Sequence, residues 1–192
     1  QFAIDGYAGI IVYTLIGALA TVIIQSSSAT MALTVTALVT GQIVYINAMA
    51  IAVGANIGTA TTAALGAMVS NANSKRMAVG LFIFKGITAV ITLASLYLMI
   101  DFVDYISKYL GIKSDDWAMK LAVFHTLFNL VGLIVFSFFI PKLVIFLKKL
   151  FVEEKESYIT KPKFLDMEVV AVPFAALKAT RKETIHLYDN AS

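Results

Sequence analysis

The chain has 192 residues, 59% of them hydrophobic, and a mean hydropathy of +0.85. That is far more apolar than a soluble domain, and between Gly6 and Ser74 there is no Asp, Glu, Lys, Arg or His at all. No water-soluble core needs so long an uncharged run, so the composition points to an all-α integral membrane protein. The absence of cysteine excludes disulfides, thiolate metal sites and cysteine catalysis, and the formal charge of +3 reflects basic residues at the ends of apolar segments and in the tail. That placement fits membrane orientation and gives no footprint for nucleic acid.

The run is too long for a cleaved leader. The chain also opens on Gln1 rather than methionine, so we expect it to be part of something longer.

Tyr7–Ile24 is apolar and runs into Gln25-Ser26-Ser27-Ser28-Ala29-Thr30; Met31–Thr40 is a short apolar return ending at Gly41. Ten to twelve helical residues rise only about 15–18 Å, roughly half of the hydrocarbon core. We expect a re-entrant hairpin with the serines at its tip, a full first span being the alternative. Ile43–Ser70 would be about 42 Å long as one straight helix, against a core of about 30 Å. Gly54-Ala55-Asn56-Ile57-Gly58-Thr59 lies at its centre, so a crossing helix broken there is expected.

Met77–Ile100 is a third apolar stretch, interrupted by Lys85, and 101–111 carries apolar residues on one helical face, as an interfacial helix would. Trp117–Ile140 is the last span, closed by Pro141. Lys75 and Arg76 precede the third span and Lys142, Lys148 and Lys149 follow the last, whereas 101–116 is rich in aspartate. The positive-inside rule puts 71–76 and the segment after 141 in the cytoplasm. The expected organisation is a transmembrane part over 1–151, a polar linker over 152–163 and a soluble helical region over 164–192, with Pro173 starting or kinking its helix. A faint echo relates Arg76-Met77-Ala78-Val79 with Phe84 to Lys120-Leu121-Ala122-Val123 with Phe128.

The polar elements carry the chemistry. A buried hydroxyl or amide without a partner costs about 1–3 kcal/mol. Serines in a helix escape that cost by bonding back to the carbonyl four residues earlier, so packing is one reading of the serine run. The other is an ion site: if the chain unwinds at 25–27 and a helix starts near Ser28, the first amide N–H groups attract an anion without lysine or arginine. The hydroxyls and the Gln25 carbonyl would also offer oxygen to a small cation. For the second element, Gly54 and Gly58 form the G-x-x-x-G of close helix contact, while Asn56 and Thr59 between and after them resemble the broken helices whose freed carbonyls bind sodium. Lys85 and His125 are ionisable groups within spans, Lys85 within snorkelling reach of an interface and His125 four residues before Asn129.

Taken together, QSSSAT, GANIGT some thirty residues on, and His125-x-x-Phe128-Asn129 resemble the sodium/phosphate cotransporter family, over approximately residues 8–150. The resemblance implies one repeat of an inverted-repeat secondary transporter, a sodium-coupled symporter bringing inorganic phosphate inward across the inner (plasma) membrane, with its C-terminal tail in the cytoplasm. It implies substrate contacts at Gln25, Ser26, Ser27, Ser28 and Thr30, and co-transported sodium at Gln25, Ser28, Asn56 and Thr59. Only one repeat is present, so a missing first repeat or a second copy, as in a dimer, would complete the site. The segment from Lys163 through Glu183 is similar to the opening of a PhoU-like domain. Two alternatives stay open: a sodium-coupled carrier of another oxyanion, and a non-transporting membrane module that signals through its tail. No paired carboxylates lie within the spans, and an enzyme is not expected.

Overall fold

The computed structural model describes residues 6–152, 162–165 and 173–191, all of the regular structure among them helical. The helices are α1 (Gly6–Ile24), α2 (Ser27–Val39), α3 (Tyr45–Ala67), α4 (Ala72–Ala94), α5 (Leu96–Tyr109), α6 (Trp117–Ser137), α7 (Ile140–Leu150) and α8 (Pro173–Ala191). They fall into two compact units, Gln1–Phe151 and Val152–Ser192. Four helices, α1, α3, α4 and α6, are long and apolar enough to cross a membrane; α2, with 13 residues, is not.

In the first unit α3 is the most buried helix, and α1 lies tightly against it. The small residues make this possible. A Cβ on Gly54 would stand 1.9 Å from the Thr14 carbonyl oxygen, one on Gly17 2.2 Å from that of Ile51, and one on Gly58 2.6 Å from that of Ala18. Backbones approach this closely only where one partner has no side chain. Buried threonines satisfy their hydroxyls within their own helices: Thr14 donates to the Ile10 carbonyl (2.8 Å), Thr34 to Thr30 (2.7 Å) and Thr88 to Phe84 (2.8 Å). The apolar core, with Met49, Val53, Leu96, Val103, Leu121, Phe124 and Phe128, joins α3, α5 and α6.

The expected break in the second crossing helix is absent. α3 runs without interruption through Gly54–Thr59. The two glycines serve the contact with α1, the Thr59 hydroxyl donates to the Ala55 carbonyl at 3.0 Å, and the Asn56 side chain finds partners on other helices, so no backbone carbonyl needs to be released there.

Two other boundaries differ from expectation. The third apolar stretch ends at Ser95, whose hydroxyl donates to the Ile91 carbonyl (2.8 Å), and α5 begins at Leu96 rather than 101. α5 buries Leu96, Val103 and Ser107 and exposes Tyr105 and Tyr109. The last span ends at Ser137 rather than at Ile140, and Pro141, expected to close it, stands instead in the first turn of a further helix, α7, which carries Lys148 and Lys149 in its last turn. The two ends of the bundle are pinned separately. At one, the Arg76 guanidinium donates from Nε (2.9 Å) and Nη2 (2.6 Å) to the Phe151 carbonyl, so the basic start of α4 and the end of α7 share a side. At the other, buried Lys120 pairs with Asp104 at 2.8 Å and lies over the Trp117 ring, which itself packs on Tyr45.

In the second unit, α8 starts at Pro173, a residue suited to a helix start because its missing N–H would be unbonded there anyway. Buried Glu183 accepts backbone N–H bonds from Lys163 (2.8 Å) and Phe164 (2.7 Å), and its other oxygen faces His186 Nδ1 at 3.2 Å. The Phe164 amide bond, with the His186 and Lys163 contacts, holds the Glu183 carboxyl below its ordinary pKa against the opposing effect of burial.

Candidate functional site: the hairpin tip and a polar junction

The QSSSAT element is a helix–turn–helix tip. Gln25 takes a left-handed conformation (φ 57°), which lets α1 end and α2 begin within two residues. Ser26 caps α2, its Oγ accepting from the Ala29 amide at 3.2 Å. Thr30 is turned inward. Its hydroxyl donates to the Ser26 carbonyl (3.2 Å) and accepts from Thr21 (3.0 Å), and both threonines are buried, so Thr30 clamps the two arms of the hairpin.

Gln25 and Ser28 are exposed, Ser26 and Ser27 half-buried. Ser27 and Ser28, with Met31, Ala32 and Val35, line a cavity of about 410 Å³ between α2 and the first half of α6, which contributes Ala118, Ala122, His125 and Thr126. His125 is the ninth residue of α6, about 12 Å along its axis. Thus the tip stands beside the middle of a helix long enough to span the bilayer. Uncharged hydroxyls and helix-start amides there can hold an anion, since the first N–H groups of a helix have no carbonyl partner within it.

Asn56 does not line this cavity. It lies at a polar junction of α3, α4 and α6. Lys85 donates from Nζ to Asn56 Oδ1 (2.5 Å) and to Asn129 Oδ1 (3.2 Å), and Asn56 Nδ2 donates to Asn129 Oδ1 (3.1 Å). Asn129 Nδ2 in turn donates to the His125 carbonyl at 2.7 Å. His125 therefore borders both features: its ring lies edge-on to Phe128, its Nδ1 is buried without a hydrogen-bond partner, and its residue lines the cavity of Ser27 and Ser28. Lys85 turns inward rather than snorkelling. The serines are thus gathered with His125 and Thr126, whereas Asn56 and Thr59, expected beside them, belong to the junction and to the α3 backbone. Sequence reasoning singled out Asn129 with His125 but did not join it to Asn56 and Lys85, and it missed Thr126. The four-residue spacing of His125 and Asn129 is the signal for that pair; no such spacing marks Thr126.

No family model matches the chain. No solved structure matches it either. Three comparisons with curated proteins are informative. The chain is 31% identical over 181 residues to the Escherichia coli K12 protein named "Putative inorganic phosphate export protein YjbB", and 30% identical over 176 residues to the Salmonella typhimurium protein of the same name. Those alignments cover 94% and 91% of this chain but 32% and 31% of the relatives. It is also 32% identical over 122 residues to YqeW of Bacillus subtilis, across 64% of this chain and 38% of that protein. The chain spans about a third of the length of the phosphate-export relatives it matches.

These relatives overturn one expectation. Sodium-driven entry of phosphate followed from the family resemblance, yet the names of the relatives state export, the opposite direction. Neutral hydroxyls carry no sense of direction, so nothing in QSSSAT itself could have fixed it. The chain is a helical membrane protein, similar over nearly its whole length to part of proteins named for inorganic phosphate export.

Proposed function

We propose that this chain is the phosphate-contacting part of an inner-membrane exporter of inorganic phosphate, with the anion held at the hairpin tip between α2 and α6. The observation that carries the reading is the cavity that brings Ser27 and Ser28 face to face with His125 and Thr126. Divalent phosphate is too strongly hydrated to enter a dry membrane unless its water is replaced by many fixed donors. The Ser27 and Ser28 hydroxyls, the free amides at the start of α2 and the exposed Gln25 side chain are such donors. They carry no net charge, so the anion is released as readily as it is bound, which transport requires. Ser26 shapes the tip as a cap, and Thr30 supports it from behind.

The hairpin is re-entrant in this reading, because α2 is too short to cross and its start lies beside mid-α6. A second repeat, on a longer chain or a second copy, closes the site from the opposite side, and the tail beyond 152 forms the cytoplasmic, PhoU-like part.

Efflux of phosphate from loaded proteoliposomes tests the proposal. A hydrogen bond to a charged group contributes about 1.5–3 kcal/mol, so Ser27→Ala should weaken phosphate binding roughly 10–100-fold while leaving thermal stability in place. Unchanged efflux, or a loss of stability without loss of affinity, would assign the serines to packing instead.

A further inference from the structure

Lys85 is surrounded as a bound cation is surrounded. Its ammonium donates to two neutral amide carbonyls, Asn56 Oδ1 and Asn129 Oδ1, on two different helices, and the Phe84 ring lies 5.6 Å from Nζ. Among the described residues the ion pairs of the first unit include none to Lys85. Both Asn oxygens are directed at one point between α3, α4 and α6, and an acceptor pair converging in a protein interior needs a donor or a positive charge between its members.

We propose that the Lys85 ammonium is a tethered cation filling a monovalent-cation position built by Asn56 and Asn129, so that this position requires no dissolved ion. An ammonium and a small alkali ion ask for the same surroundings: several oxygen lone pairs and an aromatic face. The lysine delivers the charge on a stem from α4, so it cannot diffuse away. Asn129 also donates to the His125 carbonyl, and His125 borders the serine cavity. The fixed charge is therefore one hydrogen-bonded residue removed from the proposed anion groove. A cation that cannot leave contributes its charge without being transported, and the site ceases to couple phosphate movement to the gradient of a dissolved ion. In this last respect the inference rests on the phosphate reading; the cation position itself does not.

Removing the tether should unmask the position. In the full-length protein, the thermal midpoint of Lys85→Met is measured in sodium, potassium and choline chloride at equal ionic strength. The variant should gain a saturable rise with sodium or potassium but not choline, roughly 3–6 °C at about ten times the dissociation constant. Adding Asn56→Ala should abolish the gain, and wild type should lack it. Lys85→Gln, which keeps a polar end, should behave as Lys85→Met does and serves if that variant does not fold. Equal midpoints in the three salts for both variants would overturn the proposal. Phosphate efflux is read in parallel. In the variant it should fall about tenfold in choline and recover in sodium or potassium. If wild type moves no phosphate but the salt-specific stabilisation appears, the transport reading fails and the cation position stands. If wild type moves phosphate but the variants' midpoints stay flat, the cation position fails and the transport reading stands.

Discussion

Lys85 and Asn129 occupy matching places in the two segments that echo each other along the chain, and in the folded protein their side chains meet, Nζ to Oδ1 at 3.2 Å. Both stand seven residues after the alanine of the echo, Ala78 in one case and Ala122 in the other. The bond joins α4 to α6, and through Asn56 it reaches α3, so one polar junction holds three of the four membrane-length helices.

Asn129→Leu should break this junction from one side. Asn56 Nδ2 and one arm of Lys85 would lose their shared acceptor, and an unsatisfied buried donor costs about 1–3 kcal/mol. Thermal unfolding in detergent checks the value. A change at Thr126, which faces the cavity and bonds to the carbonyl of Ala122 in its own helix, should cost much less.

The close contact of α1 with α3 should tolerate no side chain at Gly54. Gly54→Leu drives a Cβ to 1.9 Å from the Thr14 carbonyl oxygen, a backbone atom that cannot rotate away, and should cost upward of about 3 kcal/mol or prevent folding. Gly66→Ala meets nothing within 4 Å and should stabilise α3, by about 0.5–1 kcal/mol. Midpoints of the two variants measured side by side settle the contrast.

Thr30 and Ser27 should separate stability from binding. Thr30→Val removes the acceptor of the Thr21 hydroxyl, 3.0 Å away in the hairpin interior, and should lower stability by about 1–3 kcal/mol. Its effect on phosphate affinity should be small beside that of Ser27→Ala. Isothermal phosphate titration together with thermal unfolding distinguishes the two.

The second unit should weaken in acid. The folded-state pKa of Glu183 is held below its unfolded value, chiefly by the Phe164 N–H. Its contribution is therefore complete above the unfolded carboxylate pKa and is lost as pH falls through the lower, folded one. Hydrogen exchange at the Lys163 and Phe164 amides should show protection that persists through the ordinary carboxylate range and disappears below it. Glu183→Leu, which removes the acceptor, should lose that protection already at neutral pH.

Hydropathy and length alone locate the membrane-length helices, and the polar interruption at Gln25 locates the hairpin tip, because a run of hydroxyls in an uncharged segment must either turn or find partners. The continuity of α3 is not legible in the sequence: G-x-x-x-G describes both a close contact and a helix break, and what decides between them is Thr14 on another helix. The Asn56–Lys85–Asn129 junction is equally hidden. Lys85 stands 29 residues from Asn56 and 44 from Asn129 along the chain, and neither helical period nor charge pattern relates the three. α7 escapes a sequence reading because proline signals an end, whereas Pro141 stands in the first turn of a new helix, where its ring is well suited.

The claim on which the rest depends is that phosphate occupies the groove between Ser27, Ser28 and α6. The chain has no cysteine, so Ser28→Cys gives it a single thiol, exposed at the tip, with Thr36→Cys on the exposed side of α2 as reference. The direct measurement is the rate at which a membrane-impermeant thiol reagent labels Ser28→Cys as phosphate is added. The expected result is a saturable slowing, about fivefold at four times the dissociation constant, with no slowing at Thr36→Cys. A labelling rate at Ser28→Cys that phosphate leaves unchanged, in protein that still transports it, would contradict the account.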